Sequence, residues 1–285
     1  MKLAICTDVF ADLSYTDMLD KVKSLGIDAV EMTAGGWGAR KHCNTAELLA
    51  DAGKREAFMM ELEKRGMRIS ALNTSCNPLW PSKTGEEYKK SMYDCATFTG
   101  LLGVKKIVAM AGLPAGNETD TTPNWITSTV SWPDFMAPAY EYQWKVTIEF
   151  WNEFIAHCKK CGIEHIAIEE FPGTMVWSAS TLLKLREATD PMLGINLDRN
   201  VVPYAVSGLG NGARLKQAVG VGQTAFNAGV LAVHMEDAAL QCTRRCDRVC
   251  AQNHHVGGVE VDAEHRVDSL TQLEQGRRNS SLSAT

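Results

Sequence analysis

Short, β-rich apolar runs alternate along the chain with longer amphipathic stretches, the pattern of repeated βα units feeding a parallel sheet. Seven runs read as strands: residues 3–7, 29–33, 69–74, 106–111, 165–170, 193–198 and 230–235. Helix signals recur between them. Thr16 precedes MLDKVKSLG, in which Met18, Leu19, Val22 and Leu25 fall on one face and Gly26 follows where a helix should stop. The next helix ends at Arg65-Gly66, and LLGVKK and CKKCGIEH repeat the design, so each unit reads helix, glycine, strand.

Residues 113–138 break this rhythm with a stretch rich in Thr, Pro and Trp that is too long for a tight connection. A βα loop of that length is predicted to be a functional lid or binding loop, with a packed surface Ω-loop as the alternative. Seven strands with helices between them fit a TIM barrel lacking its last unit or an open doubly wound sheet. A dinucleotide fold wants G-x-G-x-x-G after its first strand, whereas this chain reads CTDVFADLS, and the GLGNG at 208–212 follows no clear strand. The predicted fold class is therefore α/β: a TIM (β/α) barrel, incomplete, with seven recognisable strands and no evident eighth βα unit.

With 285 residues, 45% of them hydrophobic and 22% charged, the chain has the material for one large core. A formal net charge of -5 disfavours nucleic acid and anionic membranes, which select clustered Lys and Arg, and favours a small-molecule partner. The opening apolar stretch is short and interrupted by Asp8 and Asp12, so no signal peptide is expected there, and no run approaches the roughly 20 apolar residues of a membrane helix. Nine cysteines are scattered, six of them within the first 161 residues, as suits reduced thiols in a cytoplasmic enzyme. Cys242, Cys246, Cys250 and His254 would share a helix face, but four ligands along a straight helix span too far to meet at one ion.

In a barrel the reactive side chains sit at the C-terminal ends of strands. Three candidates close apolar runs: Glu169 in IAIE, Asp198 in GINLD and His234 in LAVH. Alternation sends Ile166 and Ile168 toward the helices and Glu169 inward, leaving Glu170 to face away. The same logic puts Gly194, Asn196 and Asp198 inward, and likewise Ala232 and His234. Two carboxylates and an imidazole converging at one end would make a site for Mn²⁺, Mg²⁺, Co²⁺ or Zn²⁺. Each could equally be a locally satisfied polar residue at a strand end.

The segments KLAICTDVFADLS, DAVEMTAGGWG, RISALNTSCNPLWP, NWITSTVSWPDFM, IAIEEFPG and LGINLD resemble the sugar phosphate isomerase/epimerase family, whose fold is the xylose-isomerase-like TIM barrel. The resemblance runs from Lys2 to about Asp198. It implies one divalent metal ion held by Glu169 and Asp198, by His234 in VHMED, and by a glutamate ending strand eight, for which this chain shows no counterpart. It implies proton transfer next to a carbonyl through an enediolate, with Glu169 as the catalytic base, acting on a ketose or keto-polyol. Trp37 and Asn73 occupy places where the family lines its substrate pocket. Phe171 and Arg199-Asn200-Val201 stand where the family tends to carry histidines that contact substrate.

Within the same resemblance, dehydratases of the inosose type use related chemistry, and an inactive truncated barrel is the non-catalytic alternative. A DNA-repair endonuclease would need extra histidines where this chain has SALNTS and VAMAG. The expected organisation is a barrel over residues 1–237 and a divergent, polar, disordered tail over 238–285, such as a shifted reading frame would produce. The expected partner is a small carbohydrate, with no nucleic acid and no membrane, and a homo-oligomer is compatible with the chain.

Overall fold

The computed structural model of the protein describes residues 3–196. Six strands lie side by side in chain order: β1 (Ile5–Cys6), β2 (Ala29–Thr33), β3 (Arg68–Asn73), β4 (Lys106–Met110), β5 (His165–Glu169) and β6 (Leu193–Asn196). Every neighbouring pair is parallel. The crossovers are helical: α1 (Tyr15–Ser24), α2 (Thr45–Ala50) with α3 (Ala52–Glu63), α4 (Lys83–Leu101), α5 (Pro133–Lys160) and α6 (Ala179–Ala188). This is the predicted βα alternation. The seventh predicted strand, 230–235, lies outside the described residues.

The helix-to-strand joints share one chemistry. Gly26, Gly66, Gly103 and Gly162 all take positive φ, between 60° and 75°. At each, the glycine N–H donates three residues back and the next N–H donates five back, as in Ile27 to Val22 and Met67 to Leu62. This Schellman closure needs a left-handed residue that only glycine adopts without strain. The apolar residue that follows, Ile27, Met67, Val104 or Ile163, begins the return toward the sheet.

Three boundaries differ from the sequence expectation. Ser14, not Thr16, caps α1, its hydroxyl accepting from the Asp17 N–H at 3.2 Å. The first strand is two residues long because Thr7–Phe10 turns into a 3-10 helix. The long loop after β4 ends at Trp132, since Pro133 opens α5 and Pro138 is accommodated inside it. Proline fixes the φ a helix needs at its start, and Pro138 costs only the bond to the Asp134 carbonyl near that end.

The strands have two unlike faces. Val30, Met32, Ile69 and Leu72 pack in one buried cluster with Met18, Leu19 and Val22 of α1, Phe58 and Leu62 of α3 and Phe98 of α4. Ile107, Ile166, Ile168, Leu193 and Ile195 pack with Trp151 and Phe154 of α5 and Leu182 and Leu185 of α6. Ala71, Val108 and Ala167 form a separate small cluster on the opposite, inner face.

A register shift on β3 matters for that inner face. Val30 pairs with Ile69 but Glu31 with Ala71, leaving Ser70 as an extra residue whose hydroxyl donates to the Val30 carbonyl at 2.9 Å. Such a bulge reverses the alternation, so Ile69 faces the helices while Ala71 and Asn73 face inward.

Candidate functional site

The middle of β2 and the C-terminal ends of β3 and β5 bring together Glu31, Asn73 and Glu169, and Ser75 joins them from the turn after β3. Asn73 Nδ2 donates to Glu31 Oε1 at 2.8 Å, and Asn73 Oδ1 accepts from the Ser75 N–H at 2.8 Å. Ser75 Oγ donates to Glu169 Oε2 at 3.3 Å. Glu169 therefore sits on the inner face as alternation requires, flanked by β4, which pairs Met110 with Glu169.

Glu31 was not singled out by the sequence reading. It is 4% exposed, and burial pushes its carboxyl up to about 7. The Asn73 hydrogen bond works against that rise, and the charges of Glu169 and Asp8 add to it. Cys6, opposite Glu31 in the β1–β2 ladder, is pushed up to about 11 chiefly by burial, with Glu31, Asp8 and Glu169 raising it further. Acidic groups of β1's turn, β2 and β5 thus share one electrostatic neighbourhood. The period-two pattern of AVEMT carried the signal: with Val30 and Met32 turned to the helices, Glu31 must face in.

Glu170 is the reverse case. It is fully buried, its carboxyl oxygens have no hydrogen-bond partner among the described residues, and burial pushes it up to about 7. An uncharged carboxylic acid is the form that such a place tolerates.

The turn after β2 is built by close approach. A Cβ at Gly35 would collide with Thr74 Oγ1, and one at Gly36, whose φ is +71°, with the Ser75 carbonyl. Those glycines let the chain lie against the segment carrying Ser75. There the Trp37 N–H donates to the Ser75 carbonyl at 3.2 Å and the Gly36 N–H to Ser91 Oγ at 3.0 Å. The Trp37 side chain emerges 55% exposed. Among the described residues the Asn73 side chain has one donor and one acceptor committed within the network and retains a second of each.

The loop after β4 is anchored at its base. Asn77 bonds both the N–H and the carbonyl of Leu113, and buried Gln143 donates to the carbonyls of Pro114 and Asn124. Farther out, Trp125, Val130, Trp132 and Phe135 are exposed. Phe171, also exposed, follows β5. His42 is buried, its ring nitrogen bonded to the Leu13 carbonyl at 3.1 Å, as a structural loop residue rather than a ligand.

Of the three residues expected to hold a metal, the structure places Glu169. Asp198 and His234 lie outside the described residues. Among the described residues no three His, Cys, Asp or Glu side chains are grouped to hold an ion. The described donor set thus supplies one of the expected ligands and is not by itself a metal site. No helix among the described residues is long and apolar enough to cross a membrane.

Known proteins resemble this chain at two levels. The Bacillus subtilis (strain 168) uncharacterized protein YfiH is 45% identical over 199 residues, 70% of this chain and 64% of its own length, so the match spans less than two thirds of that relative. The probable 3-DHS dehydratase AsbF of Bacillus anthracis, involved in petrobactin synthesis, superposes with a TM-score of 0.54 at 16% identity, covering 76% of this chain and 69% of its own. The IOLI protein with a bound zinc atom gives 0.51 at 18% identity, covering 78% and 70%. The sequence profile of the xylose isomerase-like TIM barrel matches residues 19–258, most of the chain. With six parallel strands and helical crossovers among the described residues and a profile match over most of its length, the chain belongs to the xylose isomerase-like TIM-barrel family.

Proposed function

We propose that the protein is a sugar isomerase or epimerase that moves a proton at the carbon next to a carbonyl of a ketose or keto-polyol, with Glu169 as the acid/base. The observation that carries this reading is the place of Glu169: inward, at the C-terminal end of β5, with the Ser75 hydroxyl donating to its carboxylate. General acid/base catalysis needs a titratable group held in hydrogen-bond reach of the substrate's proton, and the ends of barrel strands are where such groups meet substrate.

The proposed ligands of a divalent ion are Glu169, Asp198 and His234. Two carboxylates and an imidazole suit Mn²⁺, Mg²⁺, Co²⁺ or Zn²⁺. When bound, such an ion polarises a carbonyl as a Lewis acid. That the IOLI protein binds zinc supports this part of the reading. Trp37, exposed on the turn after β2, offers an apolar face to a sugar ring, and the free donor and acceptor of Asn73 offer polar contacts.

The test combines metal content with isotope exchange. Purified protein is expected to bind Mn²⁺ or Co²⁺ stoichiometrically and to incorporate solvent deuterium into a ketose such as D-fructose. Glu169→Gln is expected to abolish the exchange, and full exchange in that variant would sink the assignment. Loss of water from a keto-polyol is the second reading, since AsbF is a probable dehydratase. A rise in ultraviolet absorbance from an unsaturated ketone would distinguish it. Cytoplasmic location and a tail beginning near residue 238 remain parts of this proposal.

A further inference from the structure

Glu31, Asn73 and Ser75 form a run of hydrogen bonds that starts on β2 and reaches the Glu169 carboxylate of β5. The three bonds leave little choice of orientation. Nδ2 of Asn73 meets an acceptor and Oδ1 meets a backbone donor, so turning the amide over would break both bonds. Ser75 inherits its position from that amide through its own N–H, and from Trp37, whose N–H donates to its carbonyl. Glu31 is 4% exposed and Ser75 6%, which leaves water little room to replace a lost partner. β4, which lies between β3 and β5, pairs Val108 with Ala167 and Met110 with Glu169, so the link to Glu169 is made across an apolar strand by Ser75 alone among the groups in this run.

We propose that Glu31, Asn73 and Ser75 are positioning residues for the Glu169 carboxylate, transmitting its orientation from the second strand of the sheet to the fifth. The inference rests on the reading that Glu169 acts at the mouth. Partners that orient a reacting or ligating carboxylate are worth roughly tenfold or more in activity when removed. Glu31 contributes as a buried acceptor anchored by the β1–β2 ladder.

The experiment uses the full chain labelled with glutamate carrying ¹³C at the side-chain carboxyl, the Glu169 signal being assigned by its loss in Glu169→Gln. Ser75→Ala and Asn73→Ala are expected to move the Glu169 signal, although Asn73 does not bond to that carboxylate. Ser75→Thr, which keeps the hydroxyl, and Glu31→Gln, which keeps an acceptor for the Asn73 amide, are expected to hold it at the parent position, while Glu31→Met moves it. Solvent-deuterium exchange into D-fructose is expected to fall about tenfold in Ser75→Ala. A Glu169 signal unmoved by Ser75→Ala and Asn73→Ala, with only the melting temperature lowered, overturns the proposal and leaves the three residues a structural clamp. If Asn73→Ala does not fold, Ser75→Ala decides alone. If Glu169→Gln retains full exchange, the functional reading falls, while the carboxyl signal still decides whether the run positions Glu169.

Discussion

The two faces of the same strands differ in what they contribute. The outer face carries two apolar clusters, Val30, Met32 and Leu72 in one and Ile107, Ile166, Ile168, Leu193 and Ile195 in the other, all buried against helices. The inner face is small and apolar where Ala71, Val108 and Ala167 meet, and polar beside them, where Glu31, Asn73, Ser75 and Glu169 are joined. Apolar burial against helices is therefore concentrated on one side of the sheet and the polar network on the other, and a one-residue step along a strand crosses between them. Glu169 and Glu170 make that step visible: the first enters the inner network, the second is buried with no hydrogen-bond partner for its carboxyl oxygens among the described residues.

The largest stability effect should come from the outer layer. Trp151 is fully buried, packs edge-on against Phe150 and Phe154, and donates from Nε1 to the Ala111 carbonyl at 3.1 Å. Trp151→Ala is expected to cost about 3–5 kcal/mol in denaturant unfolding, from lost burial and the cavity left behind. Glu169→Gln should shift that midpoint far less while removing exchange. Similar losses of stability from both variants would erase the distinction between the faces.

The inner face predicts a pH dependence of opposite sign to that of an ordinary ion-paired carboxylate. The Glu31 carboxyl rises from 4.5 to about 7 in the folded protein, so between those values the folded state holds a proton that the unfolded state has released. Stability then falls as pH rises through that window, by about 3 kcal/mol for this one group. Glu31→Gln should flatten the fall and make the protein more stable than the parent at pH 8, as read by thermal or urea unfolding. Glu170, raised in the same direction by burial, adds a parallel slope that Glu170→Gln removes. A parent protein whose stability increases from pH 5 to pH 8 would contradict both assignments.

Much of this architecture was legible in the sequence because it rests on local rules. The SLGI, KRGM, LLGV and KCGI joints announce their turns, since only glycine closes a helix in the left-handed conformation without strain. The strands of IAIE and GIN followed from alternation, and five of the six observed strands fall within a residue of their predicted starts. What was harder to read depends on context. Ser14 and Thr16 are both capping residues two positions apart, and only the folded backbone selects one. Pro138 reads as a loop signal until Pro133 is seen to start α5. The bulge at Ser70, which turns Asn73 inward, is a property of pairing with β2 and leaves no mark on β3 alone. Glu31 was readable by the same alternation that identified Glu169, but lying in mid-strand it did not stand out as a residue ending a run.

The smallest stability effect, and the sharpest separation of folding from binding, is expected at Trp37. Its backbone N–H holds the turn to Ser75, a bond that any residue would make, while its ring is 55% exposed and contributes little to the core. Trp37→Ala should therefore change unfolding free energy by no more than about 0.5 kcal/mol. A sugar ring stacked on that face would cover apolar area worth on the order of 1 kcal/mol, so ketose affinity measured by calorimetry should weaken roughly fivefold. If affinity stays constant while stability drops, Trp37 belongs with the outer layer after all, as a rim residue that packs rather than one that meets substrate.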